Sequence, residues 1–392
     1  MQPAMSLDAE VVVVGGGLAG SAVAVHLADR GHEVIVVDRV VFPRDKPCGE
    51  GLMPHGLHAL GRLGVAPPVD ARPFGGIRWT AGGVTAVGRF PEGVHGLGVR
   101  RAALDAALHA RATAHPRISV RTPIRVDGLG HDADGVTVRT DHGPIRARLV
   151  VGADGLHSRI RHWTGLERAP RGRKRYGVRG HLTLAPGVAD PPWVDVELVD
   201  GAELYVTPVG PGQVNVAALC ERDTARGLKG APAEVLARWL AGSRLGESLV
   251  AGPSADVRVT GPLRQQVSGV IADRVVLVGD AAGFLDGITG EGMSTGLGSA
   301  ELAADVVSAG LRGAGLDRAA LRPYAIAHRR LVRETDWLTE VILWGVARRW
   351  LAERVVRNLA RRPQLFDRLL AIETGAASLS SIGVSGLLGL VA

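Results

Sequence analysis

Val11–Val14 runs into Gly15-Gly16-Gly17-Leu18-Ala19-Gly20, then an apolar-periodic stretch to Asp29, a break at Gly31, and a second apolar run, Val34–Val37, closed by Asp38. That order reads as strand, tight turn, helix, turn and strand, the opening βαβ unit of a dinucleotide-binding fold. Gly15 permits the tight turn, Gly17 lets the backbone approach a pyrophosphate, and Gly20 lets the helix pack closely on the strand. The free N–H groups at the helix start point at the anion. Asp38 stands eighteen residues after Gly20, where a carboxylate accepts from a ribose hydroxyl and disfavours a 2′-phosphate. The adenosine half of FAD or NAD fits such a site, and that of NADP does not.

Two further runs, Leu149–Gly152 before Ala153-Asp154-Gly155 and Val275–Val278 before Gly279-Asp280-Ala281-Ala282-Gly283, are short, β-branched and punctuated by glycine. Buried parallel strands have that composition. Gly75–Gly88, Tyr176–Leu184, Val194–Leu198, Leu204–Pro208 and Gln213–Leu219 instead alternate or run apolar between Gly, Pro and Asp turns, which predicts a second, antiparallel sheet. After Gly290 the pattern is helical, through Met293–Gly310 and again from Leu321 to about Leu370, with Pro323 and Pro363 as breaks.

The fold class expected is α/β (α+β): a Rossmann-like cofactor-binding domain, an interleaved antiparallel β-sheet substrate domain, and a helical C-terminal extension. The cofactor domain takes 1–72, 99–175 and 262–330, the substrate sheet 73–98 and 176–261, and the C-terminal helical region 331–392. Trp337, Trp344 and Trp350, with Arg333, Arg348 and Arg349, read as a core stripe with a charged back, ahead of a lid or a membrane-facing surface.

A chain of 392 residues with 46% hydrophobic and 22% charged residues is neither disordered nor a coiled coil. Its 46 Lys and Arg against 39 Asp and Glu give a net charge of +7, but the arginines are scattered, which argues against a nucleic-acid partner. Cys48 and Cys220 make neither a zinc cluster nor a disulfide framework, so no metal and a reducing, cytoplasmic setting are expected. Met1–Glu10 lacks a secretory layout, and the longest apolar run, Ile382–Ala392, falls short of a bilayer span. Contact with a membrane would be peripheral.

Arg101-Ala102-Ala103-Leu104-Asp105, Gly152-Ala153-Asp154-Gly155-Leu156-His157-Ser158-Arg159 and Gly279–Gly283 follow the first glycine motif in that order. Together, over residues ~10 to ~330, they resemble the flavoprotein group that contains p-hydroxybenzoate-hydroxylase-like monooxygenases, geranylgeranyl reductases and flavin-dependent halogenases. The resemblance implies FAD as cofactor and NAD(P)H as reductant. It places Gly15, Gly17, Leu18, Ala19 and Gly20 on the pyrophosphate and Asp38 and Arg39 at the ribose; Arg44, by its place in the loop after Asp38, is either a cation within reach of the phosphates or the flavin edge or a surface arginine. It also places Arg101 on the adenine or pyrophosphate side and Gly279 and Asp280 at the ribityl chain. Asp154 and Gly155 would support the cofactor site in a motif also linked to NAD(P)H use.

Lys46-Pro47-Cys48-Gly49-Glu50-Gly51-Leu52 and Ile288-Thr289-Gly290-Glu291-Gly292-Met293 look like the geranylgeranyl-reductase forms of the loops that flank the isoalloxazine ring, although the halogenases share the Cys-Gly-Glu start of the first, so that motif alone does not choose a reaction. Cys48, Gly49, Gly290, Glu291, Gly292 and Met293 are the flavin contacts this implies, with backbone N–H groups of a helix start facing the reduced ring. The catalytic candidates are Cys48 as a redox or proton-donating thiol, Glu50 as a relay, Tyr205 on the substrate sheet and Glu291. Arg179, His181 and Tyr205 alternate with apolar neighbours and would line a pocket from one sheet face.

The reductases' Tyr-x-Trp-x-Phe-Pro is reduced here to Glu203-Leu204-Tyr205-Val206-Thr207-Pro208, the halogenases' Trp-x-Trp-x-Ile-Pro is absent, and Gly290-Glu291-Gly292 replaces the hydroxylases' Gly-Gln-Gly. The leading expectation is therefore an FAD-dependent monooxygenase acting on an apolar small molecule. The alternative is a C=C reductase of the geranylgeranyl-reductase type, ahead of a halogenase or a membrane-surface electron carrier. A separate flavin or NAD(P)H reductase is the expected protein partner, if there is one.

Overall fold

The computed structural model describes residues 7–132, 134–250, 256–374 and 377, so the apolar run 382–392 lies outside the described residues. Val-rich segments, buried throughout except at Glu10 and Arg148, form the centre of the first sheet. Ala9–Val14 lies between Val34–Val37 and Ile145–Gly152, and Ile118–Arg121 and Val275–Leu277 extend the parallel set on either side. Strands buried on both faces carry no alternation, which is why they read as continuous apolar runs. Helix Leu18–Asp29 on one flank and helix Gly292–Ala309 beside it seal the core through Ala22, Val25, Leu297, Ala300 and Ala304. An antiparallel ribbon, Val126–His131 with Val136–Thr140, hangs from Ile145–Gly152.

The second sheet has seven strands in the order Arg258–Thr260, Arg175–Thr183, Gln213–Glu221, Ala202–Gly210, Val194–Val199, Gly76–Ala81 and Val84–Arg89. It is antiparallel except where Val194–Val199 pairs with Gly76–Ala81 in parallel. Those two strands are joined only through a long excursion into the first layer, and a parallel pair needs such a crossover. Residues directly opposite share a face. One face, with Leu204, Val206, Val216 and Cys220, packs on helix Pro232–Ala241. The other sets His181 opposite Asn215, Thr207 opposite Asn215, and Tyr205 opposite Ala217, and looks toward the first layer.

The C-terminal third is helical, over Arg322–Val346, Arg349–Arg361 and Pro363–Glu373. Pro323 and Pro363 each stand where a helix opens, Pro363 directly at the break after Arg349–Arg361. Both sit in a first turn, where the missing N–H has no intrahelical acceptor to lose. Phe366 and Leu370 cover the strand pair 76–89, where Gly88 leaves room for the Phe366 ring. The tryptophan reading is corrected: Trp337, Trp344 and Trp350 are 44%, 56% and 64% exposed and form no core stripe. Helical spacing shows that residues share a face but not which side of the helix is covered. Among the described residues, no helix is long and apolar enough to cross a membrane.

Candidate functional site

At the carboxyl end of Ala9–Val14 the chain turns at Gly15, whose φ of +105° suits glycine, and a Cβ there would come within 2.7 Å of the Ala153 carbonyl carbon. A Cβ on Gly20 would strike the Gly15 carbonyl, so these two glycines hold the turn and the helix together. Gly17 differs. It caps the helix with an ordinary extended backbone, and the space its Cβ would take is filled by the Arg44 guanidinium. Asp38 is 9% exposed and accepts from Gly16 N at 2.8 Å through Oδ2 and from Val40 N at 3.0 Å through Oδ1. Each of its oxygens keeps a free acceptor direction for a hydroxyl. Arg39 is exposed beside it, and Leu18 is buried while Ala19 is partly open at the helix start.

A cradle that fits the adenosine and pyrophosphate of FAD is thus present: a free helix N-terminus, a buried carboxylate, and an arginine held over the turn. Arg44 lies 5.4 Å from the Phe42 ring centroid, and its buried Nε has no hydrogen-bond partner. Asp280, at the end of the Val275–Leu277 strand, accepts from Lys46 Nζ at 2.6 Å. Burial opposes its charge, but Lys46, with Arg101 and Arg161 nearby, holds the carboxyl below the usual range. Lys46 is a site residue that sequence reasoning passed over.

Asp154 turns inward to the next helix instead of outward to a cofactor. It accepts from Ser158 Oγ at 2.5 Å, Arg159 N at 2.7 Å and Ile160 N at 3.1 Å, capping Arg159–Trp163. Burial nevertheless pushes its carboxyl above the ordinary range. Gly155 turns with a φ of +82°. This segment braces the glycine turn from behind, since Ala153 and Asp154 are what a Cβ on Gly15 would meet.

The loop from Lys46 to Leu52 is clamped on both sides. Glu50, fully buried at a φ of +59°, accepts from Arg101 N at 2.8 Å through Oε1, and its Oε2 lies 2.7 Å from His181 Nε2. Asn215 Nδ2 donates to the Cys48 carbonyl at 2.9 Å, tying the loop to the second sheet. Gly49 and half-buried Cys48 form the tip, and the Cys48 sulfur accepts from Glu50 N at 3.3 Å. The Arg101 guanidinium pairs with Asp105 at 2.9 Å and reaches the Cys48 thiol. Burial works against that cation, but Asp105 and Cys48 raise its pKa well above the ordinary value.

His181 does not face solvent. It is 8% exposed in its side chain, and its Nδ1 lies 2.8 Å from Asp256 Oδ2, with Arg179 bonded to both Asp256 and Asp45. On the same face, Arg175 grips Glu203 through two bonds of 2.9 and 2.6 Å, Tyr205 donates to Glu203 at 3.2 Å, and Asp286 lies 3.3 Å from Arg175 Nε. Burial, helped by the Glu203 charge and resisted by Arg175, raises the Asp286 carboxyl to about 6. The Tyr205 hydroxyl is pushed up by burial and by Glu203.

Gly290, with a φ of +72°, leads into Glu291 and Gly292 at the start of the 18-residue helix Gly292–Ala309, with Met293 buried in its first turn. His55 Nε2 lies 2.9 Å from Glu291 Oε2. Burial lowers the imidazole pKa, but Glu291 outweighs it and the net shift is upward. Glu291 is 4% exposed, and its Oε1 has no hydrogen-bond partner. A cavity of about 710 Å³ opens onto this helix start, with Asp280, Glu291 and Gly292 on one wall and His328, Val332, Asp336 and Thr339 of helix Arg322–Val346 on another. The site therefore brings Cys48, Glu50, Arg101, Asp280 and the 290–293 turn to one junction, with Tyr205 across from them on the sheet. Arg175 and Asp286 left no local signal, and Lys46 and Glu203 stood in the quoted motifs without a role, because each is defined by a partner far along the chain.

Comparison with known proteins agrees with this geometry. A family model described as an FAD binding domain matches residues 8–335. A menaquinone reductase of Mycolicibacterium smegmatis is 33% identical over 78% of this chain and 78% of that protein. The ubiquinone hydroxylase UbiL of Rhodospirillum rubrum is 29% identical over 84% of this chain and 78% of its own. Among solved structures, p-nitrophenol 4-monooxygenase of Pseudomonas putida DLL-E4 has the same fold, with a TM-score of 0.77 at 20% identity over 94% of this chain and 98% of that one.

Proposed function

This chain belongs to the FAD-binding-domain family and is an FAD-dependent oxidoreductase, and from that premise we propose that it reduces a C=C bond in the polyprenyl tail of a prenylated quinone. NAD(P)H is the electron source in this reading. The observation that carries it is the clamped loop Lys46–Leu52. In sequence this loop has the geranylgeranyl-reductase form, and in the fold it sits between Arg101 and the second sheet, with Cys48 at its tip.

Two relatives, a reductase and a hydroxylase, are named for menaquinone and ubiquinone, which share a quinone head and a polyprenyl tail. The reductase is the more similar of the two. Reduced FAD supplies the hydride when it is bound. Gly17, Arg44, Asp38 and Asp280 would hold it, while the 290–293 turn offers backbone N–H groups to the ring.

Reduction of C=C also needs a proton on the second carbon. Cys48 supplies it, with Arg101 placed to hold the thiolate that remains. Glu50 has both oxygens engaged, so it positions the loop. Tyr205, bonded to Glu203, shapes the opposite wall.

The test is to incubate the protein with FAD, NAD(P)H and a menaquinone, with and without air, and weigh the product. A gain of two hydrogens in the absence of oxygen supports the reductase, and Cys48→Ser should lower kcat by about tenfold or more while FAD stays bound. A gain of one oxygen, seen only in air, would replace this reading with the hydroxylase, whose named relative is the observation in its favour.

A further inference from the structure

On helix Arg322–Val346, Ile326, Arg330, Arg333, Trp337, Val341 and Trp344 follow one another at intervals of three or four, and Arg348 continues the series just past the helix end. Residues so spaced share one face. Every one of them is exposed, with Ile326 at 45%, Val341 at 44% and the two tryptophans as given above. At 1.5 Å per residue the apolar and cationic stripe is roughly 27 Å long. Glu334 and Glu340 flank it without entering it; Glu334 lies 3.9 Å from the exposed Arg333 guanidinium, and Glu340 is drawn aside to Arg264 at 2.6 Å. The Arg348 guanidinium lies 4.3 Å from the Trp344 ring centroid. Trp350, at the start of the next helix, adds a third exposed indole.

We propose that this stripe rests on an anionic membrane surface. In that arrangement Trp337, Val341 and Trp344 enter the boundary between headgroups and acyl chains, and Arg330, Arg333 and Arg348 lie among lipid phosphates. Indoles and aliphatics on one helix face, with long cationic side chains whose stems can lie along apolar surface, suit that layer. Three cations and no acid within the stripe select negative charge in whatever covers it. A second copy laid face to face would gather six arginines into one interface with no acid in either stripe, so the net charge disfavours self-pairing. The inward face of the same helix, through His328, Val332, Asp336 and Thr339, lines the 710 Å³ cavity that reaches Glu291. The proposal stands on the helix itself and holds for either reaction considered above.

The experiment is flotation of the FAD-loaded full chain with vesicles of phosphatidylcholine alone or mixed with phosphatidylglycerol, with no quinone present. Binding to the mixed vesicles, weakened by salt and accompanied by a blue shift of tryptophan emission, is the expected result. The Trp337→Ala/Trp344→Ala variant should partition about tenfold less or lower, and Arg330→Gln/Arg333→Gln/Arg348→Gln should lose the preference for phosphatidylglycerol. Retained FAD in each variant reports an intact fold.

Failure of the wild-type protein to float, or variants that float as it does, would overturn the proposal. So would a dimer in light scattering that the tryptophan variant abolishes, which would assign the stripe to a second copy. Loss of flotation on deleting 378–392, with no loss in the tryptophan variant, would equally overturn it.

Discussion

Alanine at Gly17 and at Gly20 should separate cofactor binding from folding within one six-residue turn. At Gly17 the backbone is extended, with a φ of −73°, and a Cβ would meet only the movable end of Arg44. Replacing a glycine N-cap by alanine costs about 0.5–1 kcal/mol, and the stiffer unfolded chain returns about 0.4–1 kcal/mol. The apoprotein should therefore unfold within about 1 kcal/mol of the parent. The new methyl stands where a pyrophosphate must approach, however, so the Kd for FAD should rise by at least about tenfold, or ~1.4 kcal/mol.

At Gly20 a Cβ would run into the Gly15 carbonyl and lie 3.2 Å from the Ala153 Cβ, both fixed by the sheet. Overpacking against backbone costs about 3 kcal/mol or more, so this variant should lose stability before any effect on binding can be measured. Urea unfolding of the apoproteins and titration with FAD by flavin fluorescence give both numbers. Equal FAD affinity in Gly17→Ala and the parent, or equal destabilisation by the two substitutions, would refute the division of roles.

Burial holds the His328 imidazole down at about 4 against 6.5 in the unfolded chain, so the unfolded state takes up a proton first as the solution is acidified. Stability contributed by the neutral ring is complete above pH 6.5 and is lost as pH falls toward about 4, by up to about 3 kcal/mol. His328→Leu should flatten that slope in urea midpoints measured across the range, and parallel slopes would show the ring is not so confined. Glu50→Ala should destabilise by about 3 kcal/mol, because it removes the acceptor of the Arg101 N–H and one of the partners of the buried His181. Glu50→Gln, which keeps the acceptor for Arg101, should recover part of that loss in the same melts, and no difference between the two would discount the bond. Asp154→Ala removes a cap with three donors and should lower stability by about 1–2 kcal/mol while FAD affinity holds. Loss of FAD binding at unchanged stability would return Asp154 to the cofactor.

What was legible in the sequence was what is local. The glycine turn, Asp38 and the Val-rich strands announce themselves within a few dozen residues, because backbone conformation and two-sided burial leave composition behind. Asp154 was legible as a motif member but ambiguous in role, since its three donors are backbone and hydroxyl groups that any sequence nearby could offer. The Glu50–His181 contact joins residues 131 apart, and Lys46–Asp280 joins residues 234 apart, so neither partner predicts the other. Arg175, Glu203 and Asp286 each look like ordinary surface charges until two sheet strands and a loop bring them together. The tryptophans misled for a different reason. Trp337 and Trp344 do share one helix face, Trp350 belongs to the next helix, and the side on which the rest of the chain packs is a property of the whole fold.

Helix Arg322–Val346 is a single layer thick, with the cavity against one flank and open surface on the other. An α-helix with its side chains measures about 10–12 Å across, so the path from that outer surface to the cavity beside Glu291 is about one helix diameter. For an enzyme that draws a hydrocarbon tail from a bilayer, the distance decides the energetics of entry. Each methylene passing through water would add about 0.8 kcal/mol to the barrier, and a passage this short lets a tail remain anchored in lipid while its reactive carbon arrives. If the proposed tail reduction and membrane contact hold, the helix sets the reach along the tail, and the bonds reduced are those that lie about its own width from the membrane edge.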